Sequence, residues 1–301
     1  MPGLTPPELQ ARATQLAALL SPCRLCPRQC GARRLAGEHG CCELGADLRV
    51  FCTNLHQGEE PPLSGTRGSG TVFFSGCNLR CVFCQNFAFS QYGNGDTLTP
   101  AELAARMLAL QRRGAHNINW VTPTPHLARA VEALVLARGG GLAIPLVYNC
   151  SGYESLQVLR LLDGVVDIYL PDAKYAAHEP AARFSHAPDY PEINRAALRE
   201  MHRQVGTLQL DAQGIATRGL LVRHLILPNG LAGTRAVLHM LREECGPDVA
   251  ISMMRQYFPA HRAPQHAELD RGITWDEYEA ALQAFDECGF STAFIQEWEH
   301  D

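Results

Sequence analysis

From Thr71 to the C-terminus the chain alternates short apolar runs with amphipathic segments, and this alternation restricts its fold more than any other feature. Seven runs read as strands: Thr71–Ser75, Asn117–Thr122, Ile144–Asn149, Val165–Leu170, Gly219–Leu227, Val249–Met254 and Ser291–Ile295. One helix is predicted in each gap. The first opens with Thr99-Pro100-Ala101-Glu102, a capping box with proline at the first helical position, and carries Leu103, Met107 and Leu110 on one face. The second follows Thr124-Pro125, buries Leu127, Val131 and Leu134, and stops at Gly139-Gly140-Gly141. The others are predicted over Glu154–Leu162, over Pro191–Val205, from Thr234, and from a second capping box, Thr274-Trp275-Asp276-Glu277. Strands in alternation with helices make a parallel sheet with crossover helices, and near-continuously apolar strands suit a sheet covered on both faces. An open doubly wound sheet and a complete or partial barrel both satisfy the pattern. Either one places its active site at the carboxyl ends of the strands.

The chain has 301 residues, long enough to build a core without a disulfide framework. With 46% hydrophobic and 19% charged residues it has a globular composition, not a disordered one. No uncharged apolar run reaches the roughly 18 residues a membrane helix needs, and the N-terminus lacks a basic segment followed by an apolar stretch. A net charge of −5 with scattered Arg and Lys argues against nucleic acid as a partner.

Cysteine is the informative residue. Of twelve, nine lie between Cys23 and Cys84. Clustered thiols in a long chain without an export signal point to metal, since disulfide scaffolds are short and secreted. Residues 1–20 read as a short Ala- and Leu-rich helix. Ser21 to about Gly68 shows no sustained period and reads as loops held by metal. The predicted division is therefore 1–68, an N-terminal helix and cysteine-rich extension, and 69–301, the β/α core. Cys23, Cys26 and Cys30 are spaced C-x2-C-x3-C, with Cys41, Cys42 and Cys52 following. Four of these soft ligands can close a zinc site or hold an iron–sulfur cluster, and buried unligated thiols are the alternative. His56, Glu59 and Glu60 fall in a Pro-rich loop, expected to be solvated unless it meets substrate or metal. Cys150 reads first as a buried hydrophobe and otherwise as a group near the active site, Cys245 and Cys288 as packing residues, and His116, His126, His202 and His239 as surface or capping groups.

Directly after the first strand comes Gly76-Cys77-Asn78-Leu79-Arg80-Cys81-Val82-Phe83-Cys84-Gln85-Asn86. Three thiolates at C-x3-C-x2-C spacing wrap one soft metal centre. On a four-iron cluster they leave one iron open to a small molecule. A zinc site lacking its fourth ligand is the simpler alternative. This block resembles the signature of radical SAM enzymes, and is closest to the branch related to pyruvate formate-lyase-activating enzyme. Cys23-Arg24-Leu25-Cys26-Pro27-Arg28-Gln29-Cys30, His56-Gln57-Gly58-Glu59-Glu60-Pro61, Tyr148-Asn149-Cys150-Ser151-Gly152-Tyr153 and Gln256-Tyr257-Phe258-Pro259 extend the resemblance over nearly the whole chain.

The resemblance implies a partial or near-complete (β/α) TIM-like barrel of radical SAM type with an N-terminal metal-binding extension. It implies that Cys77, Cys81 and Cys84 hold a [4Fe–4S] cluster whose open iron chelates S-adenosylmethionine. Reductive cleavage of that cofactor gives a 5′-deoxyadenosyl radical that abstracts hydrogen from a substrate. The substrate implied is a glycine of a glycyl-radical enzyme, or else another protein, a peptide or a small molecule; an iron–sulfur or zinc electron-transfer or scaffold protein is the competing class. Asp172 and Lys174 match an Asp-x-Lys element of the activases. Arg223, inside an apolar strand, needs a charged partner, either the cofactor's carboxylate or a structural ion pair. Asn149 and Ser151 follow the third strand within reach of ribose hydroxyls or as turn caps. Cys42 is favoured over Cys41 beside Cys23, Cys26 and Cys30 for the second metal. The sequence departs from the pattern in two places. Asn149 stands where activases have an acid, and Val121-Thr122-Pro123-Thr124-Pro125-His126 replaces a Gly-Gly-Glu element, leaving backbone carbonyls or the Thr122 and Thr124 hydroxyls as substitutes, with a helix cap as the other reading of Thr124. A low-potential donor, flavodoxin or ferredoxin, and a reducing cytoplasm are further expectations.

Overall fold

The computed structural model describes residues 4–298. The helix α1 (Pro6–Ala18) is followed by β1 (Leu48–His56), the one-turn α2 (Pro61–Ser64) and β2 (Ser69–Phe74). Short α3 (Phe87–Ser90) and β3 (Asp96–Leu98) come next. The chain then continues through α4 (Pro100–Arg112), β4 (Ile118–Val121), α5 (Leu127–Gly139), β5 (Leu146–Cys150), α6 (Leu156–Leu161) and β6 (Ile168–Pro171). It ends with α7 (His178–Ser185), α8 (Tyr190–Val205), β7 (Gln209–Leu210), β8 (Ala216–Leu225), α9 (Thr234–Cys245), β9 (Ala250–Met254), α10 (Trp275–Cys288) and β10 (Ala293–Ile295). The seven expected strands are β2, β4, β5, β6, β8, β9 and β10, and both capping boxes form: Thr99 Oγ1 accepts from Glu102 N at 3.2 Å, and Thr274 Oγ1 from Glu277 N at 3.3 Å.

Those seven strands run parallel and neighbour one another in chain order, with β1 antiparallel on β2 and β3 antiparallel on β1. The order never reverses, which excludes the doubly wound alternative: right-handed crossovers that always advance the same way put every crossover helix on one face and curl the sheet into a barrel. β10 and β3 remain edges, so the barrel is partial.

Strand alternation sorts the side chains. Outward-facing Val72, Phe74, Trp120, Tyr148, Tyr169, Val222 and Ile251 share one core with the helices. Leu9, Ala13 and Leu16 of α1 join that core, and α1 packs between α5 and α6. Inward-facing Val147, Ile168, Leu170, Leu221 and Ala250 meet Leu63 of α2 in a second, smaller cluster. These residues form an apolar floor inside the barrel. Asn117 Nδ2 anchors α2 there by donating to Leu63 O at 2.9 Å. Fully burying a leucine such as Leu63 stabilises by about 1.5–3 kcal/mol.

The reading of Ser21–Gly68 as loops is corrected by β1 and α2. β1 escapes a period-2 reading because only Leu48 and Val50 are buried, while the rest of this strand, near the sheet's border, is partly exposed. α7 was also not expected; it buries Pro180, Ala181, Phe184 and Ser185. His126 is not a surface group: it is buried, stacked on Phe74, with Nε2 2.8 Å from Ser75 O. His116 is likewise buried, accepting from Arg67 N at 3.3 Å. Cys245 and Cys288 are buried packing residues as expected. Among the described residues, no helix is long and apolar enough to cross a membrane.

Candidate active site

The inward residues at the carboxyl ends of the strands line a cavity of about 770 Å³ above the apolar floor. Cys77, Cys81, Cys84, Asn149, Cys150, Ser151, Asp172, Lys174 and Arg223 all border it, as do His56, Glu59, Glu60 and Thr122.

The residues between the cysteines explain why the thiols face this space. Leu79, Val82 and Phe83 are buried and pack with Tyr153, Tyr175, Phe184, Tyr190 and Tyr257. The loop backbone is held from three directions: Gly76 N donates to Phe89 O at 2.8 Å, Val82 N to Phe184 O at 2.8 Å, and Arg262 N to Val82 O at 2.7 Å. Gly76 adopts φ +75°, and a Cβ there would overlap the side chain of Leu44. Glycine is thus required both by the turn and by the close approach of the N-terminal segment. Each sulfur has a polar neighbour. Cys77 Sγ accepts from Leu79 N at 3.3 Å, Cys81 Sγ accepts from Ser185 Oγ at 2.9 Å, and Cys84 Sγ lies 3.0 Å from Ser90 Oγ. Burial pushes the Cys77 thiol well above its usual range and Cys81 up to about 11, with the Lys174 ammonium opposing the shift in both.

Lys174 Nζ donates to Asp172 Oδ2 at 2.6 Å. Against the cost of burial, that carboxylate holds the ammonium above its ordinary pKa. Two residues of α8 position this pair and were not singled out in the sequence. Tyr190 OH accepts from Lys174 N at 3.0 Å and donates to Ser151 O at 2.8 Å. Asn194 Nδ2 donates to Asp172 O at 2.9 Å and to Gly152 O at 3.1 Å. Their i, i+4 spacing on one helix face is a signal, though one shared with ordinary packing residues.

Arg223 forms the ion pair, the second of its two expected partners. Nε and Nη2 donate to Glu60 Oε1 and Oε2, both at 2.7 Å, and Nη2 also meets Glu59. Glu59 and Glu60 are therefore not in a solvated loop, since both side chains are only 6% exposed. The segment after β1 carries them into the barrel because Leu63, just beyond, plugs its floor. Burial opposes ionisation of Glu60, but the Arg223 guanidinium holds its carboxyl below the usual range.

Thr122 lines the cavity with φ +58°, whereas Thr124 turns away: it is buried, donates to Glu154 Oε1 at 2.7 Å, and neither caps a helix nor faces the cavity. Cys150 is buried as expected, yet it also borders the cavity.

An open, singly wound β/α barrel places its functional site at the carboxyl ends of its strands, and here three soft donors past the first parallel strand border that cavity. The profile of the radical SAM superfamily matches residues 71–202, from β2 into α8. The chain is 31% identical over 272 residues to "Uncharacterized protein MJ0674" of Methanocaldococcus jannaschii, covering 87% of this chain and 73% of the relative. It is 24% identical over 254 residues to "Uncharacterized protein MJ0808" of the same organism, covering 77% and 69%. The chain belongs to the radical SAM superfamily, whose members generally use a [4Fe–4S] cluster and S-adenosylmethionine for radical chemistry and require a reductant.

Proposed function

We propose that Cys77, Cys81 and Cys84 hold a [4Fe–4S] cluster for reductive cleavage of S-adenosylmethionine, and that the substrate losing hydrogen is a glycine on an exposed segment of a partner protein. One observation carries the first part: three thiols, pinned by buried neighbours and supplied with hydrogen-bond donors, border one cavity with the Asp172–Lys174 pair. Soft sulfur donors beside a buried ammonium suit a thiolate-bound cluster. A cluster held there would supply the one electron for C–S cleavage of the sulfonium to methionine and a 5′-deoxyadenosyl radical, which would be the hydrogen acceptor.

The residues of this chain bind and shield. Lys174 offers its ammonium to the carboxylate of the cofactor, and Asp172 keeps that ammonium charged and fixed. Asn149 and Ser151 present hydrogen-bonding groups suited to ribose hydroxyls. Leu79 and Phe83 exclude water from the sulfurs. Arg223 is engaged by Glu59 and Glu60, so in this reading it organises the polar layer at the cavity floor.

The glycine reading is supported by the unclosed side of the barrel. Exposed Ala293 and Ile295 of edge strand β10 border the cavity, as does His56 at the end of β1. The site therefore reaches an edge where an extended segment can enter. A low-potential carrier of the flavodoxin or ferredoxin class supplies the electron.

Anaerobic reconstitution with iron and sulfide, reduction and addition of S-adenosylmethionine should yield 5′-deoxyadenosine, and Cys81→Ala should yield none. With the partner present, electron paramagnetic resonance should show a glycyl radical. Cofactor cleavage without that signal points to a different protein, peptide or small-molecule substrate. A reduced, cluster-loaded protein that leaves the cofactor intact would make it an electron-transfer or scaffold protein.

A further inference from the structure

We propose that Cys23, Cys26, Cys30 and Cys42 bind a second soft-metal centre, a tetrathiolate zinc ion or an iron–sulfur cluster, whose negative charge neutralises the buried guanidinium of Arg34. The centre does not depend on the reading of the cavity above.

The first observation is the grouping. The thiols of Cys23 and Cys41 lie near that of Cys30. Cys42 interacts electrostatically with Cys23 and Cys30, and Cys26 with Glu154, Cys42 and Cys23. Cys23 is the hub. Cys41 is exposed and reaches the group through Cys30, and burial alone acts on Cys52.

The second is the geometry of the loop. A Cβ on Gly40 would lie 3.2 Å from Cys30 Sγ and 3.6 Å from Cys42 Sγ, so one small residue separates these two sulfurs. The turn that carries Cys23, Cys26 and Cys30 is closed by its own backbone, Cys23 N to Ala32 O at 2.9 Å, Gly31 N to Cys23 O at 3.1 Å and Gln29 N to Cys26 O at 3.0 Å.

The third observation is a buried cation. Arg34 is 2% exposed. Nε donates to Gly45 O at 2.8 Å, Nη2 to Pro125 O at 2.8 Å, and Nη1 lies 3.9 Å from Cys23 Sγ. Among the described residues no carboxylate pairs with it, although a buried guanidinium is costly without a compensating negative charge. Four thiolates on zinc, or on an oxidised four-iron cluster, are doubly negative, and Arg34 also acts on Cys42. The cation is explained if the thiols are metallated.

Among the described residues no three Cys, His, Asp or Glu side chains converge at single-ion spacing, here or at Cys77, Cys81 and Cys84. Rotation about a Cα–Cβ bond moves a sulfur by roughly 3 Å between staggered wells, so side-chain rotation brings thiols that share one loop toward a common metal. The centre also abuts the cavity loop. Arg28 Nε donates to Asn78 O at 3.0 Å, Arg80 pairs with Glu43 at 2.6 Å, and Cys42 O would lie 3.2 Å from a Cβ on Gly76. Metal here stiffens the wall behind Cys77.

The test uses the full chain carrying Cys77→Ala, Cys81→Ala and Cys84→Ala, which removes the cavity thiols. Metal-free, it should take up one Co2+ with the visible bands of tetrahedral sulfur ligation, or four-iron absorbance after incubation with iron and sulfide; the tighter of the two names the native centre. In that background Cys42→Ser should abolish the spectrum and Cys41→Ser should keep it. Because Cys42→Ser can also unfold the segment, thiol counting on the parent variant is the second readout: Co2+ or iron–sulfur loading should protect four thiols from a thiol reagent. Arg34→Gln should weaken Co2+ binding by about tenfold or more, with Arg34→Lys restoring most of it. No stoichiometric Co2+ or iron, or loss of the spectrum with Cys41→Ser but not Cys42→Ser, would overturn the site. Unchanged Co2+ affinity in Arg34→Gln would overturn the charge argument.

Discussion

Arg223 grips Glu60 with two parallel hydrogen bonds, Nε to Oε1 and Nη2 to Oε2, each 2.7 Å, between a strand of the barrel wall and the segment that plugs its floor. Glu59 meets the same guanidinium, so one buried cation faces two buried carboxylates. The arrangement predicts an asymmetry. Glu60→Gln leaves Arg223 paired with Glu59, whereas Arg223→Met strands both carboxylates. Removing one partner of a buried pair costs about 3–5 kcal/mol. Arg223→Met should therefore lose stability near or above that range and Glu60→Gln distinctly less. A triple change to Gln, Gln and Met should recover much of the loss. Equal denaturation midpoints for the two single variants would refute the triad.

Lys174 is expected to contribute binding and not cluster assembly. Its ammonium is held by Asp172 at the cavity wall, while the sulfurs are positioned by Leu79, Ser185 and Ser90. Lys174→Ala should weaken S-adenosylmethionine binding by about tenfold or more, the scale of a lost charge-assisted contact. Iron content should be unchanged. Calorimetric titration of the reconstituted variant measures this, and wild-type affinity would remove Lys174 from the cofactor site.

Gly76 predicts a cost with two separable parts. A Cβ there would overlap Leu44, and φ +75° strains any other residue. Gly76→Ala should destabilise by roughly 1–3 kcal/mol or more. Adding Leu44→Ala creates the missing space, so the double variant should be more stable than the sum of the single losses predicts. Strict additivity in urea melts would show that the close approach is absent.

How far the sequence reaches is clear from particular residues. The seven parallel strands and both threonine capping boxes were legible because period and cap chemistry are local. The cysteine triad was legible because its spacing is contained in one loop. β1 was not, because its exposed residues hide the alternation that marks a half-buried strand. The burial of Glu59 and Glu60 was not, because it depends on Leu63 finding the barrel floor, a contact with strands about a hundred residues and more away. Thr124 and His126 looked like hydroxyl and surface groups because nothing local reveals which face of the sheet follows β4. Tyr190 and Asn194 tie together the loops after β5 and β6 from a helix that comes later in the chain. Polar residues become functional or structural through neighbours distant in sequence, and one strand period cannot name them.

Glu154 offers a test of the core behind the site. It is 1% exposed and accepts from Thr124 Oγ1 at 2.7 Å and Tyr148 OH at 3.1 Å, with no cation among those partners. Burial outweighs these bonds and raises its pKa from 4.5 to about 7. A carboxyl whose pKa is higher folded than unfolded keeps its proton longer in the native state. The native state therefore binds more protons between pH 4.5 and 7, and stability falls as pH rises through that window. The loss, complete above the folded pKa, is on the order of a few kcal/mol. Glu154→Gln cannot ionise, so its unfolding free energy should vary less with pH over that range, and the gap between variant and wild type should shift in the variant's favour as pH rises. Urea denaturation at pH 5 and pH 8 decides the matter: a wild-type-to-variant difference that stays constant across the two would mean that Glu154 is ionised in the folded protein at both.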